Sequence, residues 1–542
     1  MSRNMKSMLA LPLAVALSVS MFAGCSSKDG STSESSASPQ ASPAATASAA
    51  PAVKLNKDAK LRIAVPENGG VKGFEPGADE SNNQFLKALR EKTGYKNLEV
   101  TVIPGANALE KFNLMFASGD VYDLIYTMDF GLFRRFSEQN ALLALDGLVT
   151  QSGGEISKNV AESSWAAVTK NNQKYAIPIP PSQYNNGQAL GSGFLVRQDW
   201  MEKLGLTAPK NLDELYTFLK TIKDKDPSGK GTIPMTAASN GGNPLGGLDV
   251  ITAAFGMSGI TDIPVPFTVK DGKLINAEDI YLKDALAYIS KLYKEGLIDN
   301  EYLFNKTAQA NEKITSGKAA SSYAGYWDVK TYRSALLKTD PNVKYTFLPP
   351  VAGPDGRKGY SKPAAASNIF FVPKTAKYAN EAVDLLNSYL LDKELQSFIA
   401  FGTEGVHYEN VNGEFTPKQP AYDSIIYKIY YQMWSTPEIW FTKAKLAGYE
   451  QDIKNFTSGE PQLSVVNINL YRPQSQTELA KSKTLVDLRY EYFSKIITGA
   501  LPLTAVDEYF KKADAAGRQD IIKENQDWYE KEGKAMYEKL IK

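Results

Sequence analysis

The chain has 542 residues, 61 Lys and Arg against 60 Asp and Glu, and 11% aromatic side chains, including 29 Tyr and 6 Trp. Balanced charge with no long run of one sign argues against a nucleic-acid binder, which shows a basic face. One histidine and one cysteine rule out a His/Cys metal cluster, a Cys-His pair or a disulfide, and no cofactor or metal is expected.

At the start of the chain, Arg3 and Lys6 precede an apolar run, Met8 to Phe22, and small residues lead into Ala23-Gly24-Cys25. A basic start, a short apolar core and small residues before a cut form a secretory signal peptide, here residues 1–24. The core falls short of the ~20 residues that span a bilayer. Phe22-Ala23-Gly24-Cys25 resembles the bacterial lipobox, with Phe22 where Leu is commonest. The resemblance implies that Cys25 is diacylated and becomes the new N-terminus; the alternative is an ordinary signal peptide with an incidental cysteine. Two acyl chains suffice for stable anchoring, since each buried methylene contributes about 0.8 kcal/mol. Residues 25–57 are mostly Ser, Ala, Pro, Thr and Gly without apolar periodicity, and read as a disordered tether. The remaining length suits two or more lobes better than one core.

Leu61 to Val65 reads as a strand stopped by Pro66. A helix follows with Ser81 as N-cap, Phe85, Leu86 and Leu89 inward, and Gly94 as its end. Leu98–Ile103 reads as strand, Leu109–Phe116 as helix and Tyr122–Tyr126 as strand, an alternation that implies a parallel sheet flanked by helices. Lys174–Ile179, among Pro178, Pro180 and Pro181, reads as a connector leaving this first lobe. Gly193–Arg197 opens a second lobe. Asn211–Thr221 is a helix in which Asn211 and Glu214 can form a capping box over the stripe Leu212, Leu215, Phe218, Leu219, Ile222. Ile280–Glu295 is a helix, Lys344–Leu348 a strand, Ile369–Val372 a buried strand, and Ala379–Phe401 one helical stretch. Ser424–Lys542 is largely helical by pattern.

Several stretches together resemble the extracellular solute-binding proteins, family 1, of ATP-driven (ABC) carbohydrate importers, in their Gram-positive lipoprotein form. They are Ala117-Ser118-Gly119-Asp120, Val196 to Gly205, Ser316-Gly317-Lys318-Ala319-Ala320 running to Gly325-Tyr326-Trp327, Pro349 to Gly356, Gly402-Thr403-Glu404-Gly405-Val406-His407-Tyr408 and Ile497-Thr498-Gly499. The resemblance implies an α/β, two-lobed periplasmic-binding-protein fold (type II), each lobe a sheet flanked by helices, with a ligand cleft between lobes that close about a hinge. Lobe 1 is expected over 58–178 and 367–420, lobe 2 over 179–366 and 421–542. The implied role is a monomeric receptor on the outer face of the cell membrane, held by Cys25, that delivers an oligosaccharide or related sugar to permease subunits. A surface carbohydrate-active enzyme or a sugar-sensing subunit is the alternative, although no Gly-x-Ser-x-Gly elbow or phosphate loop is present.

In the related maltose-binding protein an Asp shortly after a strand accepts sugar hydroxyls, and the matching stretch Asp123 to Asp129 puts Asp129 there. The alternative for Asp129 is the start of a turn before Gly131. Trp327 matches a stacking tryptophan, flanked by Tyr326 and Asp328, or else belongs to a core. Tyr184 and Asn185 follow the first crossing at the cleft edge. Trp434 and Trp440 offer further aromatic surface, which a helical core stripe explains as well. Trp200, Arg197 and the His407 loop are assigned to packing. Asp224 to Pro234 keeps the opening of a calcium loop found in some relatives but has Lys230 and Thr232 in place of later ligands, too few oxygens for calcium.

Overall fold

The computed structural model describes residues 54–67, 71, 73–104, 108–119, 122–151, 154–179, 192–239, 242–259, 263–325, 328–361, 366, 368–411, 414–434 and 464–541. The first part alternates strand and helix: β1 (Arg62–Pro66), α1 (Gln84–Thr93), β2 (Glu99–Ile103), α2 (Ala108–Ser118), β3 (Leu124–Thr127), α3 (Phe130–Glu138), α4 (Glu162–Val168) and β4 (Ile177–Ile179). α1 starts two residues later than the sequence suggests. Asn83, not Ser81, caps it, accepting from the N–H groups of Phe85 and Leu86, while the Ser81 hydroxyl donates to Asp79 at 2.7 Å. Pro178, read as part of a connector, lies within β4. That strand is the sheet's edge, where a missing N–H is tolerated.

The second part runs through β5 (Ser192–Arg197), α5 (Gln198–Leu204), α6 (Leu212–Lys225), α7 (Ala277–Lys294), α8 (Thr307–Thr315), β6 (Ser321–Gly325), α9 (Val329–Leu336), β7 (Tyr345–Leu348) and β8 (Tyr360–Ser361). Asn211 caps α6 by accepting from the Glu214 N–H at 2.9 Å. Glu214 closes the box one residue further out than expected, accepting from the Lys210 N–H at 2.9 Å. β6, β5 and β7 form an antiparallel sheet in that order. Parallel bridges at Ile233–Ala319 and Met235–Ile298 extend it beyond β6.

The chain then returns. β9 (Asn368–Phe371) enters the first sheet between β3 and β4, giving the order β2-β1-β3-β9-β4, with β9 antiparallel to both neighbours. The helical stretch after it divides at Asp392, whose side chain caps α11 (Lys393–Phe401) behind α10 (Ala379–Leu391). Ile425, Tyr427, Tyr430, Tyr431, Met433 and Trp434 pack with Phe85, Leu89 and Leu386 in the first core. Residues 425–434 therefore belong with the first lobe, although the sequence reading places everything after 420 in the second. The apolar side chains that follow α11 complete the face left open by α1 and α10, which no local pattern announces.

Past residue 463, β10 (Ser464–Val465) pairs in parallel with β8, and α12 (Gln476–Thr498), α13 (Ala505–Ala515), α14 (Arg518–Trp528) and α15 (Lys534–Leu540) follow. α12 to α14 join the second core, which also takes in Phe194, Leu219, Leu286 and Ile289. α15 turns back: Leu540 and Tyr471 form a small cluster that includes Ala167 of α4.

Candidate functional site

Strand direction decides where a ligand can meet both sheets. In open α/β sheets ligands bind beyond the carboxyl ends of the strands. β1, β2 and β3 are mutually parallel, and β4 runs the same way because β9 opposes both it and β3. The chain leaves the carboxyl end of β4 and next appears at Ser192, which pairs with Gly325 at the end of β6. Asp129, just past β3, and Asp328, just past β6, therefore stand at carboxyl-terminal strand ends of the two sheets that this crossing joins.

Asp129 is exposed and caps α3. One carboxylate oxygen accepts from the N–H of Gly131 at 2.8 Å and of Leu132 at 3.2 Å. A Cβ at residue 131 would lie 3.0 Å from that oxygen, so the tight turn suits glycine. The turn-starting role allowed for Asp129 is thus present, and the second carboxylate oxygen has no hydrogen bond among the described residues. Beside it Met128 is 52% exposed, an apolar surface at the same edge.

On the second lobe a cavity of about 160 Å³ is lined by Thr236, Asn311, Ser322, Tyr323, Asp328 and Tyr332, with Ala237, Ala238 and Gly247. Its polar groups are only partly committed. Asp328 accepts the Gly325 N–H at 2.9 Å through Oδ2, and burial raises its pKa. Asn311 accepts the Tyr332 hydroxyl at 2.7 Å through Oδ1, which leaves its amide N–H groups to donate. The Ser322 hydroxyl is buried without a partner among the described residues. A carboxylate, an amide and a hydroxyl beside the rings of Tyr323 and Tyr332 suit a ligand with several hydroxyls and a flat apolar face. Ser322, Tyr323 and Asn311 escape a reading of the sequence because they come from β6 and α8 and meet only in the fold; the Gly-Tyr-Trp stretch four residues on was the available pointer.

Other expected residues divide. Trp434 is 2% exposed in the first core, so it is packing and no cleft surface. Tyr184, Asn185, Tyr326, Trp327, Trp440 and Cys25 lie outside the described residues. Arg197 is fully buried, donates to Asp199 at 2.8 and 2.6 Å and to Asp340 at 2.6 Å, and stacks 4.2 Å from the Trp200 ring, a structural strut. His407 pins its own loop by accepting the Thr403 N–H at 2.8 Å, and burial lowers its pKa. In the loop that resembles a calcium site, Asp226 is already engaged. It accepts from the N–H groups of Gly231 and Thr232 at 3.0 and 2.8 Å and from the hydroxyls of Thr232 and Ser228 at 2.7 and 2.9 Å, which hold its pKa far below the usual carboxylate range. Among the described residues no group of three or more acidic, His or Cys side chains could hold a metal ion.

Comparison with known proteins agrees with this layout. The chain is 27% identical to Lipoprotein LipO of Bacillus subtilis strain 168 over 449 residues, 79% of this chain and 78% of LipO. An HMO-binding, ABC-transporter-associated solute-binding protein from Bifidobacterium longum infantis superposes with a TM-score of 0.65 at 17% identity, over 86% of this chain and 98% of that one. FusA, an ABC-transporter substrate-binding protein of Streptococcus pneumoniae solved in complex with kestose, superposes at 0.58 with 19% identity, over 87% and 99%. At these identities the two structures speak to the fold alone. Residues 77–396 match the model of the bacterial extracellular solute-binding proteins, and the chain belongs to that family.

Proposed function

We propose that this protein is a lipid-anchored receptor that captures an oligosaccharide between its lobes outside the cell and hands it unaltered to an ABC permease. The observation that carries the reading is the pair of carboxyl-terminal strand ends joined by the crossing, with the free oxygen of Asp129 at one and the Asp328–Ser322–Asn311 cavity at the other. Acceptors and donors set beside aromatic rings match sugar hydroxyls, and closure of two lobes on a hinge encloses what they bind. LipO's name as a lipoprotein and the kestose held by FusA point the same way. Tyr184, Asn185, Tyr326, Trp327 and Trp440 are proposed as further ligand contacts. In this reading the leader ends at Gly24, Cys25 carries the acyl chains, and the receptor acts as a monomer; the tether begins at Cys25 and stops short of the expected residue 57, because the Asn56 N–H donates to Glu381 at 2.9 Å and Lys57 pairs with Asp384 at 2.6 Å on the first lobe.

The test is a thermal-shift panel of oligosaccharides with product release measured in the same samples. Stabilisation without turnover is expected, since a ligand at 100 times its Kd adds about 2.7 kcal/mol. Turnover would favour a surface enzyme, and silence across the panel would remove the sugar reading. Cys25→Ala should move the protein from the membrane fraction to the medium; retention in the membrane would refute the anchor.

A further inference from the structure

The cavity on the second lobe has a hydrogen-bonding polarity that narrows what can enter it. At about 160 Å³ it is sized for one ring, since an apolar cavity of about 150 Å³ takes a single benzene. Asp328 brings a negative charge to its wall, no lysine or arginine lines it, and among the described residues no cation pairs with that carboxylate. Lys313, on α8 with Asn311, spends its ammonium on Asp299, Glu301 and Asn305 at 2.7, 2.6 and 3.3 Å. Two lining hydroxyls have committed their protons: Thr236 donates to the Asp299 carboxylate at 2.8 Å, and Tyr332 to the Asn311 side-chain oxygen at 2.7 Å. What remains is mixed. Asp328 keeps Oδ1 as an acceptor, the Asn311 amide keeps N–H groups to donate, and the Ser322 hydroxyl, 6% exposed and unpartnered among the described residues, can do either.

An anionic group takes hydrogen bonds and gives none, and here it would meet the Asp328 charge with only an amide and one hydroxyl to receive it. An ammonium gives and cannot take, so it would set its N–H bonds against those of Asn311. A hydroxyl does both. One hydroxyl of a ring can donate to Asp328 while a neighbour accepts from Asn311, and Ser322 turns to suit either. The rings of Tyr323 and Tyr332 supply apolar surface for a sugar face. We propose, resting on the sugar reading above, that this cavity takes a single uncharged, hydroxyl-bearing sugar ring and excludes uronic-acid and amino-sugar rings of the same shape.

The experiment titrates linkage-matched trimers into the whole chain by calorimetry at mildly acidic pH, where acids and amines are both charged. A β-linked mannose trimer is set against the mannuronate trimer, an α-linked galactose trimer against the galacturonate trimer, and cellotriose against the glucosamine trimer; a fructo-oligosaccharide joins the neutral probes. At least one neutral probe should bind, and every charged trimer should bind about tenfold or more weakly than its neutral counterpart. Asp328→Asn keeps an oxygen for the Gly325 N–H and removes the charge. It should weaken the neutral probe by about tenfold and leave the uronate no weaker than in the wild type, closing the gap between them. A charged trimer that binds the wild type as tightly as its counterpart would overturn the inference whether or not the variant folds, and would leave sugar capture standing. A gap that persists undiminished in Asp328→Asn would overturn this cavity as its source. If no probe of either kind binds, the sugar reading and this inference fall together.

Discussion

Asp129 has two jobs that substitutions can separate. Asp129→Asn keeps an oxygen to cap α3 and removes the charge; Asp129→Ala removes both. Asn should therefore leave stability near wild type and lower ligand affinity by about tenfold, while Ala should also cost about 1 kcal/mol in urea unfolding. An Asn variant with full affinity would limit Asp129 to capping. Lys428 offers a test by pH. It is buried, 4.1 Å from the Tyr422 ring, and burial lowers its pKa to about 8, against the opposing pull of Asp423. Unfolded, a lysine keeps its proton to about pH 10.4, so between about pH 8 and 10 the unfolded chain binds more protons than the folded one and stability from this group rises with pH. Lys428→Met should stabilise the protein at pH 7, and its advantage over wild type should shrink by pH 9.5; a constant gap would show an unperturbed lysine. Asp129 is legible in the sequence because a strand, a short gap and a glycine frame it. Trp434 is misread because an aromatic residue among aromatics fits a core and a cleft equally well.

Among elements, the second lobe's helices are tied by a buried charge. Glu278 at the start of α7 accepts from Arg489 of α12 at 2.7 Å and from the Tyr509 hydroxyl of α13 at 2.9 Å. Both Glu278 and Arg489 are nearly inaccessible. Arg489→Leu leaves a carboxylate buried without its cation and should cost about 3–5 kcal/mol in denaturant unfolding, whereas Glu278→Gln with Arg489→Leu together should recover part of the loss. Additive losses in the double variant would show that the two side chains do not act as a pair. Most helices and strands are legible because period and caps are local: Asn211 and Gly94 sit where the sequence places them. What failed was local competition. Ser81 had Asp79 two residues away to bind, so the cap passed to Asn83. Pro178 looked like a strand breaker because its place at the edge of the sheet is a fact of topology.

At the scale of the molecule, a two-lobed α/β architecture could be drawn from the alternation of elements together with the family motifs. The lobe limits could not: residues 425–434 have an apolar pattern that suits either core, and only the open face above α1 and α10 selects one.

The late insertion of β9 between β3 and β4 has a consequence for biosynthesis. A ribosome delivers Leu124–Thr127 and Ile177–Ile179 long before Asn368–Phe371, and the two cannot be bridged until that last piece emerges. At about 5–20 residues per second, the half-built first sheet waits some tens of seconds with an unpaired edge. Until then β3 and β4 each keep an open side that any other extended segment could occupy, so the first lobe is the last to be sealed against mispairing.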